Sequence, residues 1–364
     1  MTSADALART MMTLHADRKL AIDVHASHEH FARVQREDLE EMLGNLVDNA
    51  CKWAKSRVDI RSRSVDGRLE ITPYPEGVIA PSLKAHEAVM DGTADAVQAP
   101  PILLYGRDPA NAMFSVWPGG MGPDALYHWM YQGGGKELLA EFRAEMGLHS
   151  IPSGLGGSEL LGHSHVPIQT AEDLKGIKFR TLGAFATLLE RYFEATPTVV
   201  PGSEVYAMME RKAIDAAEWS GPAENMISGL HETAKYVIYP GPQTNAFFME
   251  FAVKQETWDA LPEDLQTKVE AAAQLATMDT LLAFDARDME AWAELKKGRN
   301  EILRLDDELI AKFRESGRAL AFEVAKEQSE KGSDWMQRTA DSYYAFYDNW
   351  LENAEFRAID VQAK

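Results

Sequence analysis

The sequence is poor in cysteine, in basic charge and in long apolar runs, and each shortage excludes something. Cys51 is the only cysteine among 364 residues, so no disulfide forms within the chain and no zinc site draws on two thiolates. Thirty-seven Lys and Arg face 57 Asp and Glu, a formal net charge of −20. Nucleic acid is thereby excluded as a partner, because phosphate binding needs a basic footprint, and adsorption to an anionic membrane is disfavoured. No apolar run reaches the ~18 residues of a membrane-crossing helix, and the first residues lack the charged start and apolar core of a signal peptide. Catalytic motifs are missing too. There is no Gly-x-Ser-x-Gly, and the Gly-rich stretches at 133–135 and 154–157 lack the Gly-Lys-Ser/Thr ending of a P-loop. With no nucleophile–base pattern, the chain reads as a non-enzyme.

What is present points to two domains, the usual expectation for this length. Charge nearly cancels over residues 1–70, at about −1, so almost all of the −20 belongs to the rest. Within that part, EAVMDGTADA (87–96) aligns with AMMERKAIDA (207–216). Each reads as a helix, a turn and a strand closing on Asp-Ala, with Ser82 and Ser203 as the expected helix caps. Two matching α/β halves predict a two-lobed protein with a cleft between the lobes. Thr170 and Asp173 form a capping box, and Ile177 to Thr181 read as a strand ending at Gly183. Beyond Pro262 the pattern becomes helical, with further helices over about 306–331 and 334–353, the last rich in Trp and Tyr.

Residues 36–63 have a separate character: an amphipathic helix through Leu39, Met42, Leu43, Leu46, Val47 and Ala50, followed by a strand at Val58 and Ile60. Asn45 and Asn49 share one helix face, as do Asp48 and Lys52. Together with LHADRKLAIDV (14–24), this stretch resembles the N-box helix of a histidine-kinase ATPase domain, over about residues 15–66. The adenine loop, the Gly-rich lid and the phosphoacceptor of that domain have no counterpart here, and one box alone builds no ATP pocket. A nucleotide-binding fragment, or a fusion product without function, is the alternative reading of the chain.

Several side chains are placed to bind. Arg180 is the last charge on its strand before a Gly turn, a position that opens into the crevice of a two-lobed α/β protein. A guanidinium there grips a carboxylate through two parallel hydrogen bonds, or else makes a surface ion pair. Glu218 and Trp219 end another strand; the first offers hard oxygen to a cation, and the second offers a flat wall or ordinary core packing. His163 and His165 share one strand face and could hold a metal, but with no acidic pair beside them they read as two polar loop histidines.

The segments DLKGIKFRTLG (173–183), PTVVPGSEVYAMMERKAIDAAEWSGP (197–222) and LPEDLQTKVEAAA (261–273) resemble the extracytoplasmic solute-binding proteins of TRAP transporters, DctP type. GRLEITPYPEGVIAP (67–81), AVMDGTADA (88–96), LLYGRDPA (103–110) and MYQGGGKELLAEF (130–142) fit as well. The resemblance covers about residues 67–357 and is closest to the subfamily that binds 2-oxo or 2-hydroxy monocarboxylates through a bridging metal cation. It implies a class II periplasmic-binding-protein-like fold with C-terminal helices. Lobe one would comprise 67–160 and 225–262, lobe two 161–224, and a helical brace 263–364, with the kinase-like fragment at 1–66 outside them.

By the same resemblance Arg180 takes the ligand carboxylate, Trp219 lines the site, and Tyr105 reaches the ligand from lobe one. Glu218, Glu159, Trp219 and Gln243 would hold the cation, sodium or calcium, with Glu159 also near the ligand. Glu159 stands where the subfamily carries glutamine, and two carboxylates favour a divalent ion. The implied partners are a small organic acid, the membrane permease subunits and a second copy of the chain, met through the C-terminal helix. The implied location is the periplasm, although the chain as written lacks a recognisable signal peptide and would stay cytoplasmic.

Two stretches depart from the family pattern: Leu161-Gly162-His163-Ser164, and Gly119 after Pro118, where an aromatic is expected. The opening strand of lobe one is missing, and the kinase-like fragment stands in its place, joined near 66–71. The expectation is that its strand fills the gap with side chains unsuited to it, at a cost in stability.

Overall fold

The computed structural model describes residues 58–65, 68–75, 77–200 and 202–354. The histidine-kinase-like helix with Asn45 and Asn49 lies outside the described residues. Two sheets organise the rest. The first, in lobe one, has the order β2-β1-β3-β10-β4, built from β1 (Val58–Val65), β2 (Arg68–Tyr74), β3 (Ala96–Ala99), β4 (Leu148–Gly156) and β10 (Phe247–Lys254). The second, in lobe two, has the order β11-β9-β5-β8-β6-β7. Its strands are β5 (Gly162–Ser164), β6 (Lys178–Arg180), β7 (Thr196–Thr198), β8 (Ala216–Ala217), β9 (Tyr236–Tyr239) and β11 (Glu301–Arg304).

The strand of the kinase-like stretch occupies a place inside the first sheet. β1 pairs antiparallel with β2 from Asp59 opposite Tyr74 to Val65 opposite Arg68, and antiparallel with β3 from Val58 opposite Gln98 to Ile60 opposite Ala96. β1 thus has backbone partners on both sides.

The two aligned segments are the same unit used twice. Helix α1 (Ala85–Met90) feeds β3 in the first sheet, and helix α2 (Gly202–Glu210) feeds β8 in the second. Gly92 and Lys212, equivalent in the alignment, both turn through positive φ, at 84° and 56°. Asp91 N–H bonds Glu87 C=O just as Arg211 N–H bonds Ala207 C=O, and Gly92 to Val89 matches Lys212 to Met209. Ser82 and Ser203 do not act as caps. Ser82 begins a short 3-10 turn before α1, and Ser203 already lies inside α2. Asp173 does reach back, accepting from the Gln169 and Thr170 N–H groups and from the Thr170 hydroxyl.

The chain crosses between lobes more often than expected. The expected placement of residues 225–262 wholly in lobe one does not hold: β9 lies within the second sheet, where β11, from the expected helical brace, pairs with it in parallel. A four-residue strand carries too little pattern to name its sheet, because that choice is made by pairing with distant residues. The 33-residue helix α3 (Glu263–Leu295) spans about 50 Å and lies against β4 and the short helix Pro222–Ile227. Buried Ala272, Ala273 and Ala276 allow close approach to β4, and Thr280 Oγ1 accepts the Leu155 N–H at 3.0 Å, which covers an edge strand.

Helix α4 (Asp307–Glu330), capped by Asp306 on Leu309 N–H, and helix α5 (Trp335–Asn353) complete the brace. The aromatic face of α5 is buried against its own chain: Trp335, Tyr343 and Tyr344 are nearly inaccessible, and Tyr343 Oη accepts the Met121 N–H at 2.6 Å. Gly119 has a direct explanation. A Cβ there would meet Arg314 Cα and Phe313 O of α4 at 2.6 Å, so no aromatic fits at that position.

Candidate functional site

Four stretches of chain meet where the lobes join. β6 ends at Arg180, β8 runs into Glu218 and Trp219, and the crossings at 157–161 and 240–246 pass beside them. Arg180 is 3% exposed. Its Nη1 donates to the Glu218 carbonyl at 3.1 Å and reaches the Glu218 carboxylate at 3.4 Å, while Nη2 donates to Val200 O at 3.1 Å. Nε is buried without a partner. The guanidinium carbon lies 5.5 Å from the centre of the Trp219 ring, within cation–π range. Trp219 packs over Gly202, where any Cβ would come within 2.4 Å of the ring.

The crossing segments hold one another. Glu159 N–H donates to Thr244 O, Gly241 N–H to Glu159 O, and Leu160 N–H to Ser220 O. Gln243 is buried, and its Nε2 donates to Leu160 O at 2.8 Å. That bond orients the amide and leaves Oε1 buried with no hydrogen-bond partner.

The charges of this cluster do not balance. Burial raises the Glu159 carboxyl well above its ordinary range, and the neighbouring Glu218 raises it further. Burial likewise raises Glu218, with Arg180 pulling the other way. One guanidinium against two carboxylates leaves an excess of negative charge in a poorly solvated place, which a proton or a cation relieves. The donor set fits a hard cation: two carboxylates and an orphaned amide oxygen. Among the described residues no three His, Cys, Asp or Glu are gathered into a complete cage, so further oxygen would come from backbone or ligand.

Tyr105 comes from lobe one. Its hydroxyl meets Thr187 Oγ1 at 3.2 Å, and Gly183, three residues after Arg180, turns through φ 57° where a Cβ would meet the Ile102 side chain at 2.8 Å. Of the residues singled out, Arg180, Glu218 and Trp219 are in direct contact or packing range. Glu159 and Gln243 join them through the crossing loops, whereas Tyr105 is hydrogen-bonded to Thr187 on the helix that follows β6. His163 is no loop residue. It is fully buried in β5 between β8 and β9, while His165 Nε2 meets Met209 O at 2.8 Å. Sequence reasoning missed Asn225 and Asp288, which hold the turn after Trp219; Asp288 accepts the Ala223 N–H at 2.8 Å. Glu224 beside Asn225 and Asp285 one turn from Asp288 are polar as well, so no local pattern marked either residue.

Residues 49–328 match the family model for bacterial extracellular solute-binding protein, family 7, called DctP. The chain belongs to that family. The DctP match takes in β1 as well as both lobes. A monocarboxylate 2-oxoacid-binding periplasmic protein of Nostoc sp. is 29% identical over 272 residues, covering 75% of this chain and 73% of that one. A TRAP periplasmic solute-binding protein of Pseudoalteromonas atlantica, solved with sodium and pyruvate, is 27% identical with a TM-score of 0.68, covering 76% and 85% of the two chains. One from Colwellia psychrerythraea, solved with calcium and pyruvate, is 25% identical with the same TM-score and coverage. Separately, 42 residues are 50% identical to the sensor protein kinase CarS of Pseudomonas aeruginosa, 12% of this chain and 9% of that one. Among the described residues no helix is long and apolar enough to cross a membrane.

Proposed function

We propose that this chain is the extracytoplasmic solute-binding subunit of a TRAP-type transporter and captures a small 2-oxo or 2-hydroxy monocarboxylate between its lobes. The observation that carries the reading is Arg180: a buried guanidinium with a free Nε, walled by Trp219 and set beside two carboxylates that burial holds above their ordinary range. A monocarboxylate accepts from the guanidinium edge through two parallel bonds. Glu218, Glu159, the Trp219 backbone and Gln243 would hold a cation, which would supply the charge balance and a Lewis-acidic partner for the acid's 2-oxo or 2-hydroxy oxygen. No bond is broken; the lobes close over the acid by hinge motion and present it to the permease. Tyr105 then acts at the rim, closing the site from lobe one. The working place is the periplasm, as in the named relatives. A homodimer through α5 would use the side of that helix left exposed, Leu351 included.

Calorimetric titration tests this. Pyruvate in calcium or sodium should bind and raise the melting temperature, and chelation with sodium withdrawn should abolish binding. Absence of binding to 2-oxo and 2-hydroxy acids under either cation, with stabilisation by Mg-ATP instead, would overturn the reading.

A further inference from the structure

We propose that Asn225 is a positioning residue that sets the distance between the two carboxylate-bearing segments of the site, and so its affinity for the cation. The inference rests on the function proposed above. Asn225 lies in the short helix Pro222–Ile227 with no exposed surface. Its Oδ1 accepts the Ser220 N–H at 3.1 Å, and its Nδ2 donates to the Ser220 carbonyl at 2.9 Å. One amide therefore satisfies both backbone groups of the residue that directly follows Glu218 and Trp219.

The same Ser220 carbonyl also accepts the Leu160 N–H at 3.3 Å, and Leu160 directly follows Glu159. Leu160 O in turn accepts from Gln243 Nε2 at 2.8 Å. A continuous line of hydrogen bonds thus runs from Asn225 through Ser220 and Leu160 to Gln243. It touches Gln243 itself and the immediate neighbours of Glu159 and Trp219, and Ser220 stands two residues from Glu218. On its far side the turn is anchored independently, since Asp288 holds Ala223 N–H and fills the space left by Gly221, where a Cβ would meet the Asp288 carboxylate at 2.2 Å. The turn would keep a helix start without Asn225. What it would lose is the fixed spacing of Ser220 from Leu160.

Only a primary amide donates and accepts at once in this geometry. Aspartate keeps the acceptor alone, serine is too short to reach both groups, and leucine keeps neither function. Outer partners of metal ligands affect affinity strongly; losing one costs about 10–100-fold.

The experiment measures the calcium concentration that gives half-maximal pyruvate binding, together with the ligand-free melt, for the full chain and for N225L, N225S and N225D. The expected result is a rise of about tenfold or more in half-saturating calcium, with pyruvate affinity returning towards wild type in excess calcium. Excess calcium would not repair a general loss of packing, so that rescue separates positioning from bulk stability. If N225L does not fold, N225S carries the comparison. Wild-type calcium dependence in a folded variant overturns the inference, as does weakened pyruvate binding that calcium does not restore. If the wild-type chain itself binds no 2-oxo or 2-hydroxy acid under either cation, the proposed function fails and the inference fails with it.

Discussion

The guanidinium of Arg180 is fixed by the carbonyls of Glu218 and Val200, each at 3.1 Å, with its face towards Trp219. Both carbonyls lie beyond strand ends of lobe two, so the geometry exists before any ligand arrives. Lysine at this position keeps the charge but loses the planar fork and the stacking. Arg180→Lys should weaken pyruvate binding by about 30- to 100-fold, the equivalent of roughly 2–3 kcal/mol for charge-assisted hydrogen bonds. Titration calorimetry measures this directly, and affinity within threefold of wild type would show that the acid does not use the guanidinium.

Glu159 should decide which cation is taken. With two carboxylates in the site, calcium is expected to support tighter pyruvate binding than sodium, and Glu159→Gln should shrink that difference by about tenfold or more. The substitution also has a signature without ligand. Glu159 titrates above its unfolded value because of burial and the neighbouring Glu218. The folded state therefore holds a proton that the unfolded chain releases, and stability declines as pH rises above the ordinary carboxylate range. Glu159→Gln removes that decline, so its melting temperature should exceed that of wild type at pH 8 in chelator. Equal affinities in the two cations for wild type would sink the divalent preference.

The sequence was readable wherever a signal was local. The pairing of 87–96 with 207–216 survives to the positive φ shared by Gly92 and Lys212, because a helix–turn–strand unit is specified by ten consecutive residues. Arg180, Glu218 and Trp219 were legible as polar ends of apolar strands. His163 was misread because β5 is three residues long, too short for alternation to declare a buried face. The place of β9 and β11 in one sheet, and the line from Asn225 to Gln243, join residues far apart in the chain. No periodicity records such contacts. Glu159 and Gln243 were reached only through resemblance to a family, since both lie in crossing loops without regular pattern.

His163 gives the protein an acid sensitivity. Both ring nitrogens are buried without partners, and burial pushes the imidazole down to about 3. The unfolded chain takes up a proton near pH 6.5 and the folded one does not. Stability is thus complete above about pH 6.5 and falls as pH drops towards 3, by at most about 1.4 kcal/mol per pH unit from this residue. His163→Leu removes the slope and also two unsatisfied polar atoms, each worth about 1–3 kcal/mol. Its melting temperature should match or exceed that of wild type at pH 7, and the gap should widen at pH 5. Parallel pH profiles for the two proteins would count against this account.

The most consequential buried pair lies in lobe one, away from the binding site. Glu250 accepts Arg143 through Nε at 2.8 Å and Nη2 at 2.7 Å, with neither side chain exposed. Ser150 and His86 complete its shell, and Arg143 Nη1 goes on to Asn111 Oδ1 at 2.7 Å. Burial alone would raise the Glu250 carboxyl, but Arg143 and His86 outweigh it and hold the group well below the usual carboxylate range. The pair's stabilisation is therefore present above about pH 4.3 and is lost as pH falls through the depressed value. Removing one partner strands a buried charge, so Glu250→Leu or Arg143→Met should each cost about 3–5 kcal/mol. Replacing both with apolar residues leaves no stranded charge. The double variant R143M/E250L should then be more stable than the sum of its single changes predicts, with a coupling of at least about 1 kcal/mol in chemical denaturation. Strict additivity would mean that the two side chains are stabilised separately by their other neighbours.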